Sequence, residues 1–229
     1  MYFGVDYHPE QWVFLYAGTA GQPEAQWATD AEWMAAAGFN VVRIGEFSWG
    51  LCEPADGQFD FAWLRRVMDI MGRYDIQVVL GTPTAAPPLW LAKDHPEILP
   101  LDECGQIKHE GTRRAVCLNS DAYWNHAKRI VEEMAKTLGD HPQLIAWQID
   151  NGIGSHFTEA SFNEGSRLEW QNWLKLKYQT IERLNNLMGL RHWGQTVTDW
   201  SQIPMPMAAP TAHNPALAVD WCRFCSDTI

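Results

Sequence analysis

Four short apolar runs each lead into residues able to do chemistry. YFGVDY (2–7) ends on Tyr7 and His8, NVVRI (40–44) leads to Glu46, QVVLG (77–81) to Thr82 through Thr84, and LIAWQID (144–150) to Asp150, Asn151 and Gly152. Glu46 could bind a ligand hydroxyl or hold a buried ion pair, and the sequence leaves both open. Tyr7 and His8 are placed to line a pocket floor, although a His satisfied inside a core is the commoner finding. The chain also carries 13 Trp. An indole offers a flat apolar face and one N–H donor, which suits stacking on the C–H face of a sugar ring while its hydroxyls stay free. Any single Trp is more often a core residue; the set as a whole leans towards carbohydrate.

Strands and helices in alternation must position these residues. The first, second, third and fourth apolar runs read as strands over 2–7, 40–44, 77–81 and 144–150, the second suited to burial on both faces. Helices are expected over 26–37, closed by Gly38, and over 61–74, 121–138, 167–178 and 181–188, with a last one from Pro215. Strand and helix in turn, four times over, is the pattern of parallel βαβ units in an α/β fold. A doubly wound sheet fits too. A (β/α)₈ TIM barrel is favoured because no Gly-x-Gly-x-x-Gly follows the first strand and the polar residues gather after strand ends, where a barrel carries its active site. Only the first four βα units are expected here, so residues 1–229 read as the N-terminal half of a barrel, truncated within a final helix.

The formal net charge of −11 argues against nucleic acid or an anionic membrane surface as partner, since both call for clustered Lys and Arg. Cys52, Cys104, Cys117, Cys222 and Cys225 are odd in number and scattered, so no disulfide framework is expected, and Cys222 and Cys225 read as two small buried thiols on an amphipathic helix. The first residues, MYFGVDYHPEQW, have neither a basic nor an apolar signal region, and no run reaches the length of a membrane span. A cytoplasmic location is the expectation.

FGVDYHPEQW (3–12), GFNVVRIGEFSW (38–49), EPADGQFDFAWL (53–64), VVLGTPTAAPPLWLAKDHPEILP (78–100), TRRAVCLNS (112–120), WQIDN (147–151) and VTDWSQIP (197–204) closely resemble the N-terminal barrel of glycoside hydrolase family 42. The resemblance implies a retaining β-galactosidase that needs no cofactor, acts on β-galactoside oligosaccharides and commonly forms a homotrimer. Such an enzyme uses one carboxyl to protonate the leaving oxygen and a second to attack the anomeric carbon. In the family the acid/base is the Glu of Asp-Asn-Glu; here the run is Asp150-Asn151-Gly152. The adjacent Gly154, Ser155 and His156 fit the family's local run, which keeps the alignment in place. The nucleophile belongs to the seventh strand, beyond residue 229, so the chain is expected to be inactive by itself. By the same resemblance Asn151 bonds the sugar's 2-hydroxyl, Arg113 faces the galactosyl site and Trp193 lines the sugar pocket; Glu46, from its place at the end of the second strand, could orient Arg113 or bind a hydroxyl. Some members hold zinc with four cysteines. Cys117 matches the first, but Ser161, Asn163 and Ser166, in the run 159–166, stand at the others, so no zinc is expected.

Two further readings remain open: a catalytically dead, galactoside-binding relative that keeps Asn151, Arg113 and the tryptophans, and a glycosidase of the same clan acting on α-L-arabinosides or β-D-fucosides.

Overall fold

Each of the four apolar runs supplies a strand of one parallel sheet. The strands are β1 (Gly4–Asp6), β2 (Val41–Ile44), β3 (Gln77–Gly81) and β4 (Leu144–Gln148), hydrogen-bonded in the order β1-β2-β3-β4. In this computed structural model residues 1–13, 24–154 and 160–229 are described, and the chain divides into two compact units, Met1–Asp94 with Asn125–Gly152 and His95–Trp124 with Ile153–Ile229. Ser155, His156 and Glu159, singled out in the sequence, lie outside the described residues.

The first unit holds the sheet. Val5 pairs with Val42, Val42 with Val78 and Leu80 with Trp147, with one irregularity between Val78 and Val79. Burial alternates along β2: Val42 and Ile44 are fully buried, whereas Val41 and Arg43 are half-buried. The expectation of a strand covered on both faces is therefore corrected, because one face of β2 presents a guanidinium rather than packing. β1 is also three residues rather than six, and all three are exposed.

The helices between strands are α1 (Ala25–Ala36), α2 (Trp49–Cys52), α3 (Ala62–Arg73), α4 (Leu89–Asp94) and α5 (Asp121–Leu138). After α1 the N–H of Gly38 bonds Ala35 and that of Phe39 bonds Met34, a paired closure of the helix end that leaves the chain aimed into β2. α3 buries Leu64, Val67, Met68 and Met71 along one stripe, as the spacing requires. The short α2 was not legible from periodicity, since one turn gives no pattern. It is held by Glu53, whose carboxylate accepts from Trp49 Nε1 at 2.8 Å, the Gly57 N–H at 2.9 Å and Arg129 Nη2 of α5 at 2.5 Å. That pairing satisfies a carboxylate with no exposure at all.

The second unit contains α6 (Glu164–Tyr178), α7 (Ile181–Met188) and α8 (Pro215–Asp227). Its core gathers Trp170, Leu174, Leu184, Met188, Trp221 and Phe224. Trp170 meets Trp221 edge-on at 5.4 Å between ring centres, and Phe162 stacks on Trp221 at 5.0 Å. α6 starts three residues before the expected Arg167 because Asn163 caps it, accepting from the Ser166 N–H. Asn214 caps α8 just ahead of Pro215, whose fixed φ suits a first helical position. Of the two thiols expected to be buried on this helix only Cys225 is; Cys222, three residues back on the helix, faces outward and is exposed. Asp220 locks α8 to α6 by accepting from Tyr178 at 2.7 Å and from Lys177 at 2.5 Å.

Candidate active site

Two polar clusters stand at the C-terminal ends of the strands in the first unit. Arg43 bridges the first: its Nη2 lies 2.7 Å from Asp6 Oδ2 on β1, and its Nε donates to Glu46 Oε1 at 2.9 Å. His8 completes the group, 3.3 Å from Glu10 and 3.7 Å from Asp6, with its ring against Phe47. Gly81 makes room for Glu46, since a Cβ there would fall 2.6 Å from the Glu46 Cβ. Burial pushes the Glu46 carboxyl above the usual range, and a hydrogen bond to Asp6 adds to this. Burial would also raise Asp6, but hydrogen bonds from Glu46 and Arg43 outweigh it and hold Asp6 below its ordinary value. Burial raises Glu10 as well.

Arg43 is the residue that sequence reasoning missed. In the sequence it is one member of a β-branched run, and only the alternation of burial along β2 sets it apart. Glu46 has Arg43 as its ion-pair partner, so of its open readings the structure realises the buried ion pair. The Tyr7 hydroxyl is committed to Asp30 of α1 at 2.7 Å, with its pKa raised by burial and by that bond.

The second cluster joins β3 to β4. Thr84 Oγ1 donates to Asp150 Oδ2 at 2.6 Å, the Asp150 N–H donates to Thr82 Oγ1 at 2.7 Å, and the Asn151 N–H donates to Asp150 Oδ1 at 2.6 Å. All three of Thr82, Thr84 and Asp150 are buried. Asp150 therefore acts as a peg: its carboxylate and its own N–H fix the chain where it leaves β4. Asp150 and Gly152 both have positive φ, +56° and +76°. The turn thus presents Asn151 and then a residue with no side chain, and position 152 can neither give nor take a proton.

The structure brings Asn151 and Gly152 together at the end of β4, with Glu46 at the end of β2 in the same unit. Arg113 and Trp193 belong to the second unit. Arg113 is exposed, whereas its neighbour Arg114 is wholly buried, which separates the two arginines of the Thr-Arg-Arg run by what each can reach. Trp193 is 68% exposed with its ring 4.8 Å from that of His192, so an indole face remains open. By contrast Trp27, Trp49, Trp63, Trp170 and Trp221 are core residues. Those five indoles are packed in the interior and present no face for a sugar.

Cys117 Sγ lies 3.3 Å from Asn163 Oδ1 and 3.4 Å from Ser166 Oγ, while Ser161 accepts from the Leu101 N–H at 3.1 Å. Cys117, Asn163 and Ser166 thus converge, and with Ser161 they supply one thiol, one amide and hydroxyls, a donor set that does not fit a tetrahedral zinc site. Among the described residues no three His, Cys, Asp or Glu side chains converge to hold a metal. The second unit holds a pocket of about 380 Å³ lined by Val197, Ile203, His213 and Leu217. Among the described residues no helix is long and apolar enough to cross a membrane.

The profile of a family described as beta-galactosidase, the glycoside hydrolase 42 family, matches residues 6–229. A beta-galactosidase of Geobacillus kaustophilus is 40% identical over 227 residues, covering 99% of this chain and 32% of that protein. One of Halorubrum lacusprofundi is 38% identical over 229 residues, covering 100% of this chain and 31% of that protein. The solved beta-galactosidase of the psychrophilic Marinomonas ef1 superposes with a TM-score of 0.91 at 37% identity, covering 100% of this chain and 33% of that one. The catalytic domain of a beta-amylase from Paenibacillus polymyxa, 16% identical with a TM-score of 0.59, is alike in fold alone. The chain spans about a third of the length of the beta-galactosidases it matches. Its four-stranded parallel sheet corresponds to the first four β/α units of their TIM barrels.

Proposed function

The chain belongs to the beta-galactosidase family of glycoside hydrolases, family 42, and from that membership we propose that the protein carrying it is a retaining β-galactosidase that lacks its own acid/base carboxyl. The single observation behind this is Gly152, directly after Asp150 and Asn151 at the end of β4.

In a retaining glycosidase a carboxylate attacks the anomeric carbon while an acid protonates the departing oxygen; the same residue later deprotonates water. The nucleophile here is supplied from beyond residue 229. With glycine at 152 the departing oxygen leaves as an anion, and water must attack the glycosyl-enzyme without a base. General acid–base help is worth roughly 10²–10⁴-fold. Galactosides with good leaving groups are therefore the substrates that survive, and the 229-residue chain alone, which lacks the nucleophile, is inactive.

Asn151 holds the 2-hydroxyl, a bond that strengthens as positive charge grows at the anomeric carbon. The exposed Arg113 supplies fixed donors to sugar hydroxyls, and Trp193 an open face for the ring. Glu46 serves the site through Arg43. No cofactor takes part. A homotrimer in the cytoplasm is part of the same reading, supported by family membership and by an odd, scattered set of cysteines.

The test is hydrolysis of nitrophenyl β-galactoside, α-L-arabinoside and β-D-fucoside by the protein that carries this chain. Galactoside should have the highest kcat/KM. A preference for arabinoside or fucoside would move the activity elsewhere in the clan, and galactose binding without turnover of any of the three would make the protein a binding relative.

A further inference from the structure

Three hydrogen bonds meet at Asp150, and together they fix the backbone that carries Asn151. Thr84 Oγ1 donates to Asp150 Oδ2 at 2.6 Å, the Asn151 N–H donates to Asp150 Oδ1 at 2.6 Å, and the Asp150 N–H donates to Thr82 Oγ1 at 2.7 Å. Thr82 is tied to β4 in its turn, its N–H donating to the Gln148 carbonyl at 2.9 Å, and its hydroxyl lies 3.3 Å from that of Thr84. Asp150 is buried, and both its carboxylate oxygens are engaged within the protein. Its φ of +56° lies in the left-handed region, which a residue with a side chain keeps only where its surroundings hold it there. Those surroundings are the two threonines that follow β3. What they hold is the direction in which Asn151 leaves the sheet.

We infer that Asp150 is the positioning residue for Asn151, and that through it Thr84 sets how strongly the site favours a sugar bearing a 2-hydroxyl over one without. The inference rests on the proposed role of Asn151 at that hydroxyl. The bond there strengthens as positive charge grows at the anomeric carbon, so its value depends on Asn151 being held in place while the reaction proceeds. A displacement of about 1 Å can cost on the order of 100-fold in rate. A turn released from the threonines can leave its left-handed conformation and carry Asn151 with it.

The readout is the ratio of kcat/KM for dinitrophenyl β-galactoside to that for its 2-deoxy counterpart, in the protein that carries this chain. Asp150→Gly removes both acceptors yet adopts a positive φ without strain. It should narrow the ratio by roughly 10–100-fold, through loss on the galactoside alone. Asp150→Asn should keep the parent's ratio, because its amide oxygen accepts from the Asn151 N–H and the Thr84 hydroxyl can turn to accept from its nitrogen. Asn151→Ala should narrow the ratio as far as Asp150→Gly does, and combining the two should narrow it no further.

Equal losses on both substrates in Asp150→Gly would overturn the inference by showing a purely structural role. A ratio narrowed by Asn151→Ala and untouched by Asp150→Gly would overturn it while leaving the role of Asn151 intact. No turnover of either substrate, or a ratio indifferent to Asn151→Ala, would remove the reading of the site and this inference with it. Should Asp150→Gly fail to fold, Thr84→Val and Thr84→Ser decide: the inference requires valine to narrow the ratio and serine, which keeps the donor, to preserve it, and equal ratios in the two contradict it.

Discussion

At the scale of single residues, Gly152 separates what the site recognises from what it can catalyse. Its place was legible in the sequence because the residues around it, Asp150 and Asn151, carry the motif. Its backbone was not: a φ of +76° is conformational information that a motif does not hold. Glycine adopts it freely, while a glutamate there costs about 1–2 kcal/mol unless the turn relaxes. Gly152→Glu in the protein that carries this chain should therefore lower stability by that amount in urea denaturation. It should at the same time raise kcat/KM roughly 10²–10⁴-fold for substrates with poor leaving groups. Lost stability with no kinetic gain would mean that position 152 is not where the acid belongs. Arg43 shows the opposite legibility. Its site is plain in the structure, yet nothing in NVVRI distinguished it, because a strand's burial depends on what covers each face.

At the scale of elements, the longer helices and the strands followed their periodicity, and α2 and α4 did not, being too short to show any. The Thr82, Thr84 and Asp150 peg belongs to this scale, since it fixes β4 to β3 through side chains far apart in sequence. Thr84→Val removes a charge-assisted bond to a buried carboxylate and should cost about 1–3 kcal/mol. Thermal unfolding would measure it, and a change within experimental error would show that the remaining bonds suffice. Asp220 does the same for α6 and α8. Burial would raise its carboxyl, but bonds from Lys177, Tyr178 and Arg223 outweigh burial and hold it below the ordinary value. Its contribution is then complete above the unfolded value of about 3.9 and is lost as pH falls through the lowered folded one. Asp220→Asn should destabilise near neutral pH by about 1–3 kcal/mol and lose that difference in acid, and a difference independent of pH would contradict the ionised pairing.

At the scale of the molecule, the sheet has β1 and β4 at its two edges, with Tyr2, Phe3, Val5 and Ile149 exposed on or beside them. Unpaired edges with apolar neighbours invite pairing with other chains. The 229 residues alone should therefore self-associate in sedimentation velocity at micromolar concentration, and a stable monomer would show that the edges are protected. The barrel was legible in the sequence only as alternation and family likeness, since four strands do not distinguish a barrel from an open sheet. The central claim, a retaining galactosidase without its acid/base, is tested most directly by azide. Azide attacks the glycosyl-enzyme without needing a base, so in the protein that carries this chain it should accelerate turnover of an activated aryl β-galactoside and yield β-galactosyl azide. Efficient hydrolysis of unactivated galactosides, unchanged by azide and with a bell-shaped pH profile, would contradict the account by showing that another group supplies the proton.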